Sequence, residues 1–215
     1  MTLGLLWLGL PLLGALQTQA QNSTPTLIPP IPLHIGPMEP EFQDDQFQGK
    51  WYVLGVAENT IQNGNQLSMY STTFELNDAD HSYNVTTALI REDLCENQTY
   101  TFVPGVHRSQ YTLSNTTWPT GTQSYTMRVV ATNYKQFAVV FSEKTFEDTV
   151  YFKTIVYGRT KELSPELKER FVNFVKSVGF TEDNIIFTDP IGASCLSPPV
   201  TLPKEPSSCP TGHNA

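Results

Sequence analysis

Short runs in which apolar and polar residues alternate recur through the middle of the chain, separated by residues that favour turns. Alternation with a period of two is typical of strands that bury one face. Because short turns join consecutive runs, the pattern predicts an antiparallel meander that closes into an eight-stranded up-and-down β-barrel. The predicted strands lie at about residues 50–58, 68–77, 82–91, 97–103, 109–114, 122–132, 136–144 and 150–158.

One α-helix is predicted after the eighth strand. Ser164 is a favourable N-cap, Pro165 suits the first helical position, and Gly179 is a typical helix end. Residues 185–187 predict a short final strand. The helix is expected to pack outside the barrel through an apolar face made of Leu167, Phe171, Phe174, Val175 and Val178.

The two ends of the chain differ from its middle. Residues 1–20 are mostly apolar, carry no charge and end in small residues, which is typical of a signal peptide cut after Ala20. The apolar run is too short to span a bilayer comfortably, so a membrane anchor is the disfavoured alternative and secretion without a membrane span is expected. A proline-rich lead-in at 21–40 and a proline-rich flexible tail at 196–215 leave a globular domain at 41–195.

Charge narrows the range of partners. The net charge is -8, with a pI near 4.9, so the chain has no general attraction for nucleic acid or anionic lipid. Hydrophobic residues make up 39% of the chain, which is enough for a core. An anionic ligand would therefore need cations held close to it.

Secretion would permit disulfides and glycans. The three cysteines, Cys95, Cys195 and Cys209, form no CxxC motif, so one disulfide and one odd thiol is the simplest count, with the pairing left open. Two or more of the four N-glycosylation sequons are expected to be used. These sequons lie at Asn22, Asn84, Asn97 and Asn115.

Strand alternation predicts which side chains enter the barrel. If Asn84 and Asn97 carry glycans they face outward, and their neighbours along each strand, including Tyr83, Val85, Gln98, Tyr100 and Phe102, then face inward. In 136–144 the two rows are Ala138, Val140, Ser142 and Lys144 against Phe137, Val139, Phe141 and Glu143. In the eighth predicted strand, 150–158, one face is made of Tyr151, Lys153, Ile155 and Tyr157. Such stripes fit a filled core or a lined cavity, and a lysine among Tyr and Ile favours a cavity for a polar or anionic group.

Three short motifs carry a resemblance to a known family. They are Gly49-Lys50-Trp51-Tyr52, Thr132-Asn133-Tyr134 and Gly158-Arg159-Thr160. Together, in this order and spacing, they resemble the three conserved regions of the lipocalins, with Asn133 in place of the usual Asp. The resemblance implies that the motifs close one end of the barrel and that Arg159 stacks over Trp51. The structural residues that it implies are Gly49, Trp51, Thr132, Tyr134 and Arg159.

The lipocalin resemblance also implies a disulfide. Cys95 and Cys195 match the family's usual bridge between the fourth strand and the C-terminal segment. Cys209 then lies alone in the tail, where it could link a second copy of the chain.

Longer stretches, such as FQGKWYV, RVVATNY and YGRTKELSPELKE, are similar to the lipocalins that bind catecholate siderophores. The similarity extends to about residue 191 and implies a role in iron sequestration and innate immunity, with iron held only through the siderophore and no cofactor of the protein's own. Two of that branch's three cations match Lys144 and Lys153, while Tyr100 replaces the third and Gln98 replaces a pocket tryptophan. The implied ligand-binding residues are Lys144, Lys153, Tyr70, Tyr100, Tyr125, Tyr151 and Tyr157.

The replacements at Tyr100 and Gln98 favour weaker binding of a siderophore with three negative charges, and they leave other functions open. A carrier of lipid, retinoid or odorant without an iron role is one, and a small-molecule ligand is the expected partner in either case. A cell-surface receptor and a Cys209-linked dimer are the other candidate partners. The four histidines have no metal-ligand spacing, so no metal site is expected.

Enzyme activity is the third alternative. Residues 67–69 and 180–183 resemble the prostaglandin D synthases of the lipocalin type, whose nucleophilic cysteine follows the first of these segments. Here that position is Tyr70, which lacks a reactive thiol. No catalytic residue is therefore predicted.

Overall fold

The computed structural model describes residues 39, 41–60, 69–91, 94–114 and 120–189, with the backbone alone at 89–91 and 94. These described residues form nine strands and two α-helices. The helices are α1 (Asp44–Phe47) and α2 (Pro165–Ser177). The strands are β1 (Gly49–Glu58), β2 (Ser71–Asn77), β3 (Ser82–Arg91), β4 (Leu94–Pro104), β5 (Gln110–Leu113), β6 (Thr122–Thr132), β7 (Phe137–Phe146), β8 (Thr149–Gly158) and β9 (Ile185–Phe187).

The first eight strands form a closed antiparallel barrel, which confirms the predicted fold. Each strand pairs with the next, and β1 closes the ring by pairing with both β2 and β8. Strand β9 lies outside the ring and pairs with β1 at Gly55–Ala57. A side chain at Gly55 could not fit there, because its Cβ would lie 2.7 Å from the Phe187 ring.

Two apolar layers follow from the alternation along β7 and β8. Ala138, Val140 and Tyr157 belong to the layer inside the barrel. Phe141 and Phe152 belong to an outer layer that also contains the buried face of α2. The row ending in Ser142 and Lys144 is therefore the inner row of β7.

Helix α2 begins and packs as predicted. The backbone N–H of Leu167 donates to Ser164 Oγ at 3.2 Å, which caps the helix. Phe171 and Val175 are buried against the outer layer. After the helix, Gly179 has a φ of 105°, a conformation that favours glycine. Among the described residues, no helix has the length and apolar character needed to cross a membrane.

The short helix α1 was not predicted. Phe47 in α1 is 1% exposed and packs against Phe74 inside the barrel, with ring centroids 4.9 Å apart. The Asp44 carboxylate is hydrogen-bonded to His81 Nδ1 at 2.7 Å and so contacts the turn before β3. This helix plugs the barrel end where β1 begins, but four residues are too few to show helical periodicity in a sequence.

Several predictions lie outside the described residues. They are the signal peptide at 1–20, most of the lead-in at 21–40, the tail at 196–215, and the residues Asn22, Asn115, Cys195 and Cys209. Cys95 is disulfide-bonded. Its pairing with Cys195 therefore stays a prediction.

We expect peptide mapping of the secreted protein under non-reducing conditions to recover Cys95 linked to Cys195. The same map should show Cys209 as a thiol or in an intermolecular bond, because it is left over once that pair forms. Cys209→Ser is the matched control and should keep the Cys95–Cys195 peptide. A Cys95–Cys209 peptide would contradict the pairing.

Candidate ligand-binding site

One end of the barrel is closed around Arg159. Its guanidinium lies 3.6 Å from the centroid of the Trp51 ring. It also donates to three backbone carbonyl oxygens at 2.9 Å, those of Lys50, Gln48 and Tyr134. Trp51 Nε1 donates to the carbonyl of Phe47 at 2.8 Å. The predicted stacking is thus observed, and it ties α1, β1 and the β6–β7 turn together.

The remaining motif residues shape the same end. Gly49 has a φ of 95°, and a Cβ there would lie 3.2 Å from Arg159 Nη1. Thr132 Oγ1 donates to the carbonyl of Phe137 and accepts from the N–H of Tyr134, both at 2.9 Å. Asn133 Oδ1 accepts from the N–H groups of Gln136 and Phe137 at 2.9 and 3.0 Å. An amide oxygen can accept these two bonds as a carboxylate would, which explains why Asn is tolerated.

Above this closed end, cross-strand neighbours form successive levels inside the barrel. The first level contains Val53, Tyr157 and Ala138, which pair across β1, β8 and β7. Four residues further along β8, Lys153 pairs with Glu58 and Ser142. The last level contains Tyr151, Lys144 and Tyr125. At about 3.3 Å per residue, it lies roughly 20 Å along the strand from Tyr157.

A cavity of about 150 Å³ lies at these upper levels. Four of the predicted ligand-binding residues line it together, which are Tyr125, Lys144, Tyr151 and Lys153. It is also lined by residues that the sequence analysis did not select, namely Glu58, Asn59, Thr60, Ser142 and Phe152. We call this cavity, with its lining side chains, the upper cup.

Glu58 is the most consequential of the missed residues. Its carboxylate forms an ion pair of 2.7 Å with Lys153 Nζ, and both side chains are partly buried. A register shift between Val53 and Gly55 reverses the alternation along β1, so that Val56 and then Glu58 face inward. Strict alternation from Val53 would place the Glu58 side chain on the outer face of β1. In the sequence, Gly55 is the single residue that could have suggested this register shift, which is a β-bulge.

The two lysines differ in their surroundings. Burial alone would lower the pKa of Lys153, but the phenolate that Tyr70 forms only at high pH and the Glu58 carboxylate outweigh burial and raise this pKa above its usual value. Lys144 Nζ lies 5.1 Å from the centroid of the Phe146 ring. Both lysines face the same cavity.

Burial changes the chemistry of several tyrosines in the predicted set. Burial raises the pKa of Tyr70 and of Tyr125, and nearby Lys153 offsets only part of this effect. Burial also raises the pKa of Tyr157. Tyr100 packs against the inner layer. Since the phenols of Tyr70, Tyr125 and Tyr157 stay protonated at neutral pH, they offer O–H donors and ring faces but no negative charge.

The predicted glycosylation residues lie on the outside of the barrel. Asn84 on β3 and Asn97 on β4 are both exposed, whereas Tyr83 and Phe102 are buried in the inner layer. The structure thus confirms the orientation of both strands.

Asn84→Gln and Asn97→Gln are each expected to remove one glycan from protein secreted by eukaryotic cells. Neither substitution should change ligand affinity, because neither side chain faces the barrel interior. Intact mass before and after enzymatic deglycosylation measures the first effect, and a binding titration measures the second. Unmodified asparagine at both positions in the wild type would contradict the prediction.

No cluster of three or more His, Cys, Asp or Glu that could hold a metal occurs in the described part of the chain. His81 pairs with Asp44, and His107 lies in an exposed loop far along the chain from it. The upper cup instead brings two lysine side chains beside Tyr125 and Tyr151.

The fold and the motifs are those of a family of small-ligand carriers. Residues 48–191 match the model of the lipocalin / cytosolic fatty-acid binding protein family. The chain belongs to this family.

Three known proteins show which lipocalins this chain is similar to. The chain is 52% identical over 193 residues to neutrophil gelatinase-associated lipocalin of Homo sapiens, covering 89% of this chain and 97% of that protein. It is 34% identical over 190 residues to prostaglandin-H2 D-isomerase of Canis lupus familiaris, covering 85% and 91%. The solution structure of lipocalin 12 from rat epididymis superposes with a TM-score of 0.65 at 27% identity, covering 78% of this chain and 93% of that one.

Proposed function

We propose that the protein is a secreted carrier that holds a small, largely apolar ligand inside the barrel, with a negatively charged group of the ligand beside Lys144 and Lys153. The observation that carries this proposal is the upper cup, where two lysines and two tyrosines line one cavity. The opposite end is filled by Phe42, Phe47 and Trp51, so a ligand enters from the end that holds the lysines.

The chemistry of the cup suits an amphipathic ligand. The aromatic rings of Tyr125 and Tyr151 offer apolar contact surface, and Met127 and Ile155 continue it downward. The lysines oppose the long-range repulsion that a protein of net charge -8 exerts on an anion. Their attraction acts at short range, where the partly dry cup strengthens it.

A ferric catecholate siderophore is the second candidate. It is favoured because the two lysines matched to siderophore-binding lipocalins lie in the same cavity as Tyr125 and Tyr151. Aromatic faces and cations are the groups that would contact catechol rings and their charge. In this case, the protein would take iron from its surroundings only through the bound siderophore, in innate defence. Cell-surface uptake of the loaded carrier would then require a receptor.

Catalysis of a prostaglandin isomerisation is not proposed. The relevant position holds Tyr70, whose pKa burial raises, so it offers neither a thiolate nor a phenolate nucleophile at neutral pH. The role of the protein is then binding, with release of the unchanged ligand.

Fluorescence titration of the purified mature protein tests the proposal. We would add all-trans retinoic acid, retinol and ferric enterobactin separately and follow quenching of tryptophan emission at micromolar concentrations. Saturable binding of an anionic probe, with competition between probes, is the expected result. Binding of retinol alone would favour a carrier of neutral lipids, and binding of no probe would overturn the proposed function.

A further inference from the structure

The upper cup contains an acidic side chain opposite its cations. Glu58 is the one carboxylate among the described lining residues, and its partner Lys153 lies 2.7 Å away. Thr60 Oγ1 donates to the other carboxylate oxygen at 3.2 Å. These two contacts hold Glu58 beside Lys153 on the inner face of β1.

This pairing changes the charge that a ligand meets. Lys144 and Lys153 contribute two positive charges and Glu58 removes one, so the formal charge of the described lining is +1. The amine of Lys153 already has a carboxylate partner, whereas Lys144 contacts the Phe146 ring. A ligand with one negative charge would neutralise the +1 charge of the cup. A ligand with three negative charges would keep two of them unneutralised and would be repelled by the nearby Glu58 carboxylate.

We propose, on the basis of the carrier function above, that Glu58 is a specificity-determining residue that restricts the cup to ligands with no more than one negative charge. The natural ligand is then a neutral or monoanionic apolar molecule, such as a carboxylate with an extended hydrocarbon or aromatic body. Tris-catecholate complexes are bound less tightly than the two lysines alone would allow.

The test compares three probes on wild type and Glu58→Gln. Glutamine keeps the size of the side chain and removes its charge. The affinity for ferric enterobactin, with about three negative charges, is expected to rise roughly tenfold, or about 1.4 kcal/mol. Because the Coulomb energy is proportional to the ligand's charge, all-trans retinoic acid should gain only about twofold and neutral retinol should not change.

Two further variants separate local from general effects. Glu75→Gln removes a charge from an exposed position on β2, so it matches the change in net charge without touching the cup. It should leave all three affinities unchanged. Glu58→Asp keeps the charge and should retain the wild-type ratio of ferric enterobactin to retinol affinity, within about twofold.

An equal change for all three probes in Glu58→Gln, or no change for any, would overturn the role of Glu58 while leaving the carrier function in place. The same effect in Glu75→Gln would also overturn it, since the cause would then be the net charge. If wild type and Glu58→Gln bind none of the probes, the proposed function itself fails, and the inference fails with it.

Discussion

Lys144→Ala combined with Lys153→Ala should weaken the binding of ferric enterobactin by about 30-fold or more, and that of all-trans retinoic acid, with one negative charge, by about threefold or more. The reason is that both cations facing the upper cup are lost, and Glu58 is left without its partner and repels the anion. Removing one partner of a buried charge pair costs about 2–5 kcal/mol, and the partly exposed site calls for the lower end of this range. Fluorescence titration of the double variant measures the effect.

The matched control is Lys135→Ala combined with Lys161→Ala. These two lysines are exposed and do not line the cup, so the control has the same net charge as the test variant. It should bind both probes within about twofold of wild type, because exposed charges are screened. Equal losses in the two double variants would show that the cup lysines make no specific contribution.

Arg159→Ala should lower the free energy of unfolding by about 3–4 kcal/mol. It removes a cation–π contact worth about 0.5–2 kcal/mol. It also removes several hydrogen bonds from a charged group, each worth about 1.5–3 kcal/mol when well formed and less where water competes. Three carbonyl oxygens at the barrel end would lose their donor. Urea unfolding followed by tryptophan fluorescence measures the loss.

Arg170→Ala provides the control for this effect. Arg170 is exposed on α2 and pairs with Glu166 one helical turn away, so its removal should cost no more than about 0.5 kcal/mol. Arg159→Lys should be intermediate, since lysine keeps the charge but lacks the planar fork that reaches several carbonyls. If Arg159→Ala were as stable as Arg170→Ala, the barrel end would not depend on the stacked arginine.

Alternation was sufficient to predict the barrel because most strands have one apolar and one polar face. It could not decide between the two rows of β7, where Val139 and Val140 are both buried. The structure assigns one row to the interior and the other to the layer beneath α2. A strand buried on both faces carries no signal for orientation, so tertiary packing has to supply it.

The ligand site was predictable in part. The family resemblance implied lysines and tyrosines of β6, β7 and β8 as ligand-binding residues, and four of them line the upper cup. Glu58 could not be placed in this way, because the bulge before Gly55 shifts every later residue of β1 to the opposite face. A single irregular residue therefore altered the predicted charge of the site.

In the described part of the chain, helix α2 packs against one side of the barrel. The described outer layer joins the helix to β1, β6, β7 and β8, which are the strands that carry Glu58, Tyr125, Lys144 and Lys153. Gln98 and Tyr100 lie on β4, whose outward residue Asn97 is exposed. Glu58, Tyr125 and the two lysines of the cup thus lie on strands that the helix supports, whereas β4 has no residue in the described outer layer. We expect substitutions on the inner face of β4, such as at Tyr100, to change the shape of the barrel interior while the anchoring charges keep their geometry.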